Sequence, residues 1–503
     1  MTQTNYYEYR AWAQEQAAEL PGMSYDSGTA RFVVNGTKPF NTYLEAKWYY
    51  DYIYKFGGNP MGVNGYLPGL GIDFKNSRQV KNSVKVDSFS DIVTHSATTN
   101  ATMVDSDGLL KWRPHNLLTY SEDFSNAAWT KTDATVTSDT VAAPNVTDTA
   151  DTIEFTSIGA SNVQSVVTNL DTTANHTFGV WLKTASGTLD VRIGNVNAGI
   201  YEIKTITSEW QLFTVEQIPS ATSRFPRILA GASSSGTFYA WGAHLYRSDL
   251  GGMVNNPDRG DSYVPTTSAA VYLPRRNHHV WNGSAWVNEG LLHESEARTN
   301  LITYSNDFSQ AYWSNQNSTD ATTTDDFTTI TPTGVSSGMR FSSSEAVSGS
   351  TSYVFTADFR QNGADFGYVQ LNSNGGTLRA TSTYIDFSDG SITVLSEAGG
   401  GYSAQEGFVE QVGSGIYRVS LVVTTDADHT GLQGYLGAAT AVGTKTSSAT
   451  DTIDVRYSQF EAGSTPSSYI PSAGSTATRA AETLTIPSAN LPWPTPRVIG
   501  PEL

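Results

Sequence analysis

Two stretches of this 503-residue chain alternate apolar side chains with aromatic, cationic and carboxylate ones. In HTFGVWLK (176–183), Phe178, Val180 and Leu182 share one face of an extended strand, and Trp181 and Lys183 share the other. In YVFTADFR (353–360), Phe355, Ala357 and Phe359 point one way while Thr356, Asp358 and Arg360 point the other. The next stretches, GTLDVRIGN and FGYVQLNSN, repeat the design. Val191 and Ile193 face in and Arg192 out; Val369 and Leu371 face in, with Tyr368 and Gln370 out. A flat aromatic ring can hold the apolar face of a pyranose, and planar amide, carboxylate and guanidinium groups can bond its hydroxyls. Trp181, Lys183 and Arg192 in one stretch, and Asp358, Arg360, Tyr368 and Gln370 in the other, are therefore the candidate glycan contacts. The alternative is that they pack against a neighbouring domain, a loop or another subunit.

Other chemistry is weakly signalled. DSDG (105–108) and DADHTG (426–431) could each open a calcium loop, but neither has the full acidic spacing with a closing Glu, so turns are expected. A structural calcium is the only cofactor these segments leave open, and no metal ligand is assigned. His278 and His279 are adjacent rather than four apart, which does not suit a catalytic zinc. GVSSG (334–338) fits a nucleophile-elbow pattern by letter only, without the preceding buried strand and following helix. The chain has 48 acidic residues, and nothing singles out a pair for glycoside cleavage. RGD (259–261) reads as a turn. No catalytic residue is assigned, and the chain is not expected to be an enzyme.

The candidate residues sit inside a long repeat. NLLTYSEDFSNAAW (116–129) and NLITYSNDFSQAYW (300–313) agree at ten of fourteen positions. Each copy closes with an aromatic-rich strand and a Tyr–aliphatic–Pro phrase, SYVPTTSAAVYLPR in the first and SYIPSAGSTATRAAETLTIP in the second. The second copy is longer by about 22 residues, which loop insertions such as DGSITVLSEAGGGYSAQEG would explain. So long a period means tandem domains rather than solenoid units. Tyr120, Phe124 and Trp129, with Tyr304, Phe308 and Trp313, are expected as matching core positions. Short alternating runs between Gly, Asn, Asp and Ser clusters carry the all-β signal from Met61 onward. VWNGSAWV between the copies reads as a hairpin turning at Asn282-Gly283.

Residues 1–60 read differently. Tyr6, Ala13 and Leu20, then Leu44, Trp48, Tyr49 and Ile53, lie at helical spacing, with Asn41 as a candidate N-cap and Gly57-Gly58 as a stop. The expected organisation is a helical attachment region (1–70), a β lead-in (71–115), a first sandwich (116–275), a linker hairpin (276–299), a second sandwich (300–486) and a Pro-rich arm (487–503). The fold class is mainly β, with two tandem jelly-roll-like sandwiches behind the small helical region.

Bulk composition narrows the partners. Net charge is −18 and the longest basic run is Arg275-Arg276, so nucleic acid is a poor partner. Aromatics reach 11% and charge only 16%, which does not suit disorder. There are no cysteines, which excludes disulfides and thiolate metal sites. No signal peptide and no membrane-spanning run is visible, so no membrane insertion is expected.

The opening phrase, the upstream ATMVDSDGLLKW, NEGLLHESEARTNLITYSNDF and the closing SSYIPSAGSTATRAAETLTIP together resemble a known set of modules. These are β-sandwiches similar to carbohydrate-binding modules in structural proteins of tailed bacteriophages, prophages and gene transfer agents. The resemblance covers roughly residues 71–487. It implies a virion-surface capsid or tail spike, fibre or decoration, assembled in host cytoplasm, that adheres to bacterial surface polysaccharide. It also implies contacts with other virion proteins through the N-terminal region. Homo-oligomerisation, with a trimer favoured, is expected because aromatic-rich sandwiches with an extended arm tend to have partners. It supplies no shared catalytic residues. Two other classes stay open: a purely structural decoration protein that contacts only virion neighbours, and a glycan depolymerase.

Overall fold

The computed structural model describes residues 70–490, apart from short breaks at 76–77, 82–83, 87, 195–200, 324, 335–337 and 446–447, together with three strands between residues 23 and 40. Among the described residues the chain is mainly β, and its helical segments are three-residue 3-10 turns. It divides into two compact units, Ser96–Thr483 and Met1–His95 with Leu484–Leu503.

The smaller unit holds two three-stranded antiparallel sheets, Met23–Asp26 with Arg31–Val34 and Lys38–Phe40, and Leu70–Asp73 with Arg78–Lys81 and Val84–Val86. This corrects the expected helical character of residues 1–70 where they are described. Gly28 and Asn35-Gly36 are turn signals flanking the β-branched run RFVV, and they outweigh any helical spacing there. The two expected helices lie outside the described residues. Phe89, Ile92 and Val93 are buried against Ile72, Phe74, Val86 and Leu484. Asn490 donates to the carbonyls of Asp91 and Ile92, at 3.1 and 2.8 Å. The start of the expected arm therefore joins this small core, and residues 491–503 lie outside the described residues.

The larger unit contains two sandwiches of the same plan. In the first, one sheet runs in space Trp129–Thr132, Asn162–Ser165, Arg227–Ala230, Leu189–Gly194, Glu202–Ile206. Its partner runs Ala134–Val141, Ala150–Phe155, Thr237–Arg247, His176–Lys183, Gln211–Gln217. In the second, the corresponding orders are Ser314–Gln316, Met339–Phe341, Gly431–Ala439, Phe366–Ser373, Ala380–Asp386, Ile392–Ser396 and Ser318–Thr322, Thr328–Pro332, Ile453–Ala462, Ser352–Gln361, Ile416–Thr424, Ala404–Gln411. The surplus segment of the second copy is thus not a loop. It supplies one extra edge strand to each sheet, Ile392–Ser396 and Ala404–Gln411, because ITVL and FVEQ alternate well enough to pair.

The repeated phrase closes each sandwich through one buried amide. Asn116 Nδ2 donates to the carbonyls of Ala243 and Val264, and its Oδ1 accepts from the amides of Leu118 and Leu245. Asn300 repeats the set with Ser458, Ile470, Ile302 and Phe460. The phrase is thereby sewn to both the last long strand and the Tyr–aliphatic–Pro segment. Ser121 bonds the Tyr263 hydroxyl at 2.8 Å, and Ser305 bonds that of Tyr469 at 2.6 Å. Trp129 donates its indole N–H to the Tyr120 carbonyl, and Trp313 to that of Tyr304. Phe124 and Trp129 lie in the first core with centroids 4.8 Å apart, as do Phe308 and Trp313 in the second; Tyr120 and Tyr304 are half-buried beside them.

Buried charges tie the lead-in, the hairpin and the second closing segment together. Arg113 and Arg275 are fully buried, and both pair with Glu482. Arg275 and Arg479 both pair with Glu294, at 2.7 and 3.1 Å. Burial alone would raise the Glu294 carboxyl. The charges of Arg275 and Arg479, with bonds from Ser468, outweigh it and hold the pKa below the ordinary value.

Replacing Asn300 with alanine leaves two amides and two carbonyls unpaired inside the second sandwich. We expect a loss of roughly 3 kcal/mol or more, read as a lower denaturant midpoint. Because the folded pKa of Glu294 is depressed, its contribution is complete above the unfolded value of about 4.3 and is lost as pH falls through the folded one. Urea midpoints measured from pH 6 down to pH 3 should fall more steeply for the native chain than for Glu294→Gln; equal slopes would contradict this assignment.

Candidate functional site

The strand His176–Lys183 is central in its sheet, between Gln211–Gln217 and Thr237–Arg247. Phe178, Val180 and Leu182 are buried in the sandwich core. Trp181 and Lys183 stand on the outer face. Across the ladder, Trp181 lies opposite Leu212 and Trp241, and Lys183 opposite Tyr239. Leu212 is 44% exposed, while Trp181, Trp210 and Tyr239 are half-buried. The Lys183 ammonium lies 5.0 Å from the Trp210 ring centroid and 5.7 Å from that of Tyr239. A bulge at Gly242 (φ 65°) lets the backbone approach Trp181: a Cβ there would lie 3.3 Å from the Trp181 ring and 3.4 Å from Tyr263. The result is an apolar, aromatic platform with the Lys183 ammonium at one edge and the Arg259 guanidinium 5.7 Å from the Trp241 ring centroid.

Arg192 also faces outward, but from the other sheet. It donates to the carbonyls of Ala230 and Gly159, both at 2.7 Å, and covers the Tyr201 ring at 4.7 Å. The three candidates of the first copy therefore do not converge. Alternation assigns a face to each strand, whereas the crossover between sheets places the two outer faces on opposite sides of the sandwich.

The second copy divides in the same way. Asp358 and Arg360 stand on the six-stranded sheet at the places held by Trp181 and Lys183. Asp358 is 1% exposed, and lies opposite Arg418 and Arg456 as Trp181 lies opposite Leu212 and Trp241. Arg418 donates to it at 2.8 Å, and Arg456 lies at 3.5 Å. Burial would lower the Arg418 pKa, but the Asp358 carboxylate outweighs it and the net direction is upward. At the bulge, Tyr457 (φ 53°) takes the place of Gly242 and stacks on Tyr469 at 4.6 Å. Arg360 pairs with Asp325 and Asp454 and covers the Phe327 ring at 4.1 Å. The bond from Arg360, with that from Thr323, holds Asp325 at about 2.

Tyr368 and Gln370 lie on the opposite sheet under the Lys445 side chain. Lys445 bonds Gln370, Ser382 and Glu397, and sits 4.9 Å from the Tyr368 ring centroid. Tyr368 is completely buried, and burial pushes its phenol well above the ordinary range. Outward orientation is therefore not exposure here, because a loop residue covers the face.

The acidic turns are already occupied by protein groups. Asp105 Oδ1 accepts from the amides of Asp107 and Leu109, and its other oxygen pairs with Lys111. Asp426, Asp428 and His429 do come together, with ligand atoms within 4.8 Å of one another. Asp426 pairs with Arg379, Asp428 accepts from the Thr377 amide and hydroxyl, and both His429 nitrogens are hydrogen-bonded, to the Asp426 amide and the Thr377 carbonyl. Arg259 of the RGD turn pairs with Asp261 at 3.1 Å and lies over Tyr263. GVSSG is mostly outside the described residues. Sequence reasoning missed Trp210 and Tyr239, which join Trp181 only through strand pairing. Their aromatic type in the neighbouring strand segments EWQLF and TFYAW was the available signal.

No family model matches the sequence, and no curated protein matches it. Among solved structures, the N-terminal tandem CBM22 domain of Paenibacillus barcinonensis Xyn10C is similar at 9% identity and a TM-score of 0.25, over 70% of this chain and 98% of that one. The enzymatically active domain of bacteriophage CBA120 tailspike protein 4 is similar at 16% identity and a TM-score of 0.21, over 26% of this chain and 21% of that one. The PBSX exported protein XepA is similar at 10% identity and a TM-score of 0.13, over 75% of this chain and 97% of that one.

Proposed function

We propose that the chain is a non-enzymatic structural protein of a tailed-phage-type particle, displaying two jelly-roll-like sandwiches that hold bacterial surface glycan by weak, reversible contact. The observation that carries this reading is the outer platform of the first sandwich. Trp181, Trp210 and Tyr239 present partly exposed rings beside the exposed Leu212, with the Lys183 ammonium next to them. Stacking a pyranose on an indole removes apolar surface from water on both partners, and the ammonium supplies hydrogen bonds to hydroxyls. One such contact is weak. A homo-oligomer, with a trimer favoured, would raise retention by effective concentration without any new contact. Attachment to other virion proteins is assigned to residues 1–70.

Purified full-length chain should be retained on immobilised surface polysaccharide of the host without releasing reducing sugar. Trp181→Ala should weaken retention about tenfold, the scale of one aromatic contact of about 1.4 kcal/mol. Deleting residues 1–60 should abolish incorporation into particles while leaving retention. Equal retention by the native chain and by Trp181→Ala and Trp210→Ala would overturn the glycan reading, and sugar release would replace it with a depolymerase.

A further inference from the structure

Within the larger unit a cleft of ≈ 1030 Å³ lies between the hairpin Arg275–Trp281 and Trp286–Leu292 and the outer face of the second sandwich's six-stranded sheet. Its size is at the upper end of small-ligand sites. One wall carries Trp281 and Trp286, edge to face with centroids 5.5 Å apart. The other carries Phe408, Val409 and the Asp358–Arg418–Arg456 group. The walls are fixed independently of any ligand. Gly108 (φ 79°) of the lead-in turn presses so closely on Trp286 that a Cβ there would overlap the indole. The ion pairs of Arg275 with Glu294 and Glu482 anchor the base of the hairpin.

Charge narrows the ligand class. Glu289, Glu294, Asp325, Asp326, Asp358 and Glu410 line the cleft against Arg418 and Arg456 alone among its strong cations. Asp358 is shared by both arginines, and the carboxylates of the lining outnumber the guanidiniums, so the cleft is net negative and disfavours an anionic ligand.

We infer that this cleft binds a short neutral oligosaccharide, stacked between the Trp281 and Phe408 walls with its hydroxyls on the Asp358–Arg418–Arg456 group. The inference rests on the glycan reading above, but it places a second, enclosed site of different chemistry away from the open Trp181 platform. It also gives the hairpin a ligand-binding role.

The test is calorimetric titration of the full chain with maltotriose, cellotriose and triacetylchitotriose, and with trigalacturonate as the acidic comparison. At least one neutral trisaccharide should bind, and trigalacturonate should not. Trp281→Ala should weaken binding about tenfold. Val409→Glu, at a rim position that is 38% exposed, should weaken it too without disturbing the core. Hydrogen exchange locates the site: protection should fall on 275–292 and 404–424. Protection confined to 176–183 would overturn the cleft while supporting the platform. No binding by any neutral trisaccharide up to about 10 mM, a free energy weaker than about 3 kcal/mol, would overturn the cleft alone, since polysaccharide retention is measured separately. Preference for trigalacturonate would overturn the assigned ligand class.

Discussion

Each sandwich is closed by a single buried amide side chain. Asn116 and Asn300 each make four hydrogen bonds to main chain, reaching the last long strand and the closing phrase at once. An asparagine suits this position because it offers two donors and a two-lone-pair acceptor in one plane. Closure is thus performed inside the fold, by main-chain partners whose own side chains are free to differ. The outer faces of the two copies have differed accordingly. Trp181 opposite Trp241 becomes Asp358 opposite Arg456, and the bulge glycine Gly242 becomes Tyr457. One scaffold carries an aromatic platform in the first copy and an ion group in the second.

The buried charges act at a different level. Replacing such a group by apolar residues of equal volume is often neutral, whereas removing one partner costs about 3–5 kcal/mol. Their consequence here is positional. Arg113 comes from the lead-in, Arg275 and Glu294 from the hairpin, and Arg479 and Glu482 from the closing segment, so the group is complete only when all three meet. That meeting sets the hairpin's tryptophans across from the second sandwich, and the cleft between them follows.

The mainly-β character, the doubled phrase and the inward partners of each alternating strand were legible in the sequence, because period-two alternation and exact repetition are local signals. What was not legible is non-local. Alternation says that Trp181 and Arg192 face outward, but not that their sheets lie on opposite sides of one sandwich. It says the same of Tyr368, but not that Lys445 would cover it. The surplus of the second copy read as a loop because its glycines are dense, yet ITVL and the FVEQ run pair at the sheet edges. Asn116 is legible only as the first residue of the repeated phrase. Its role needs partners 127 and 148 residues away, which no window of sequence contains. The strands between residues 23 and 40 were missed in favour of helical spacing on either side of them.

We propose that glycan rests on the platform of the first sandwich, left free by internal closure. A crystal structure of the chain soaked with an oligosaccharide fragment of the host's surface polysaccharide tests it most directly. Sugar density stacked on the Trp181 and Trp210 rings, within hydrogen-bond reach of the Lys183 ammonium, is the predicted result. A fragment bound on the Arg192 face, with the Trp181 platform bare, would contradict it.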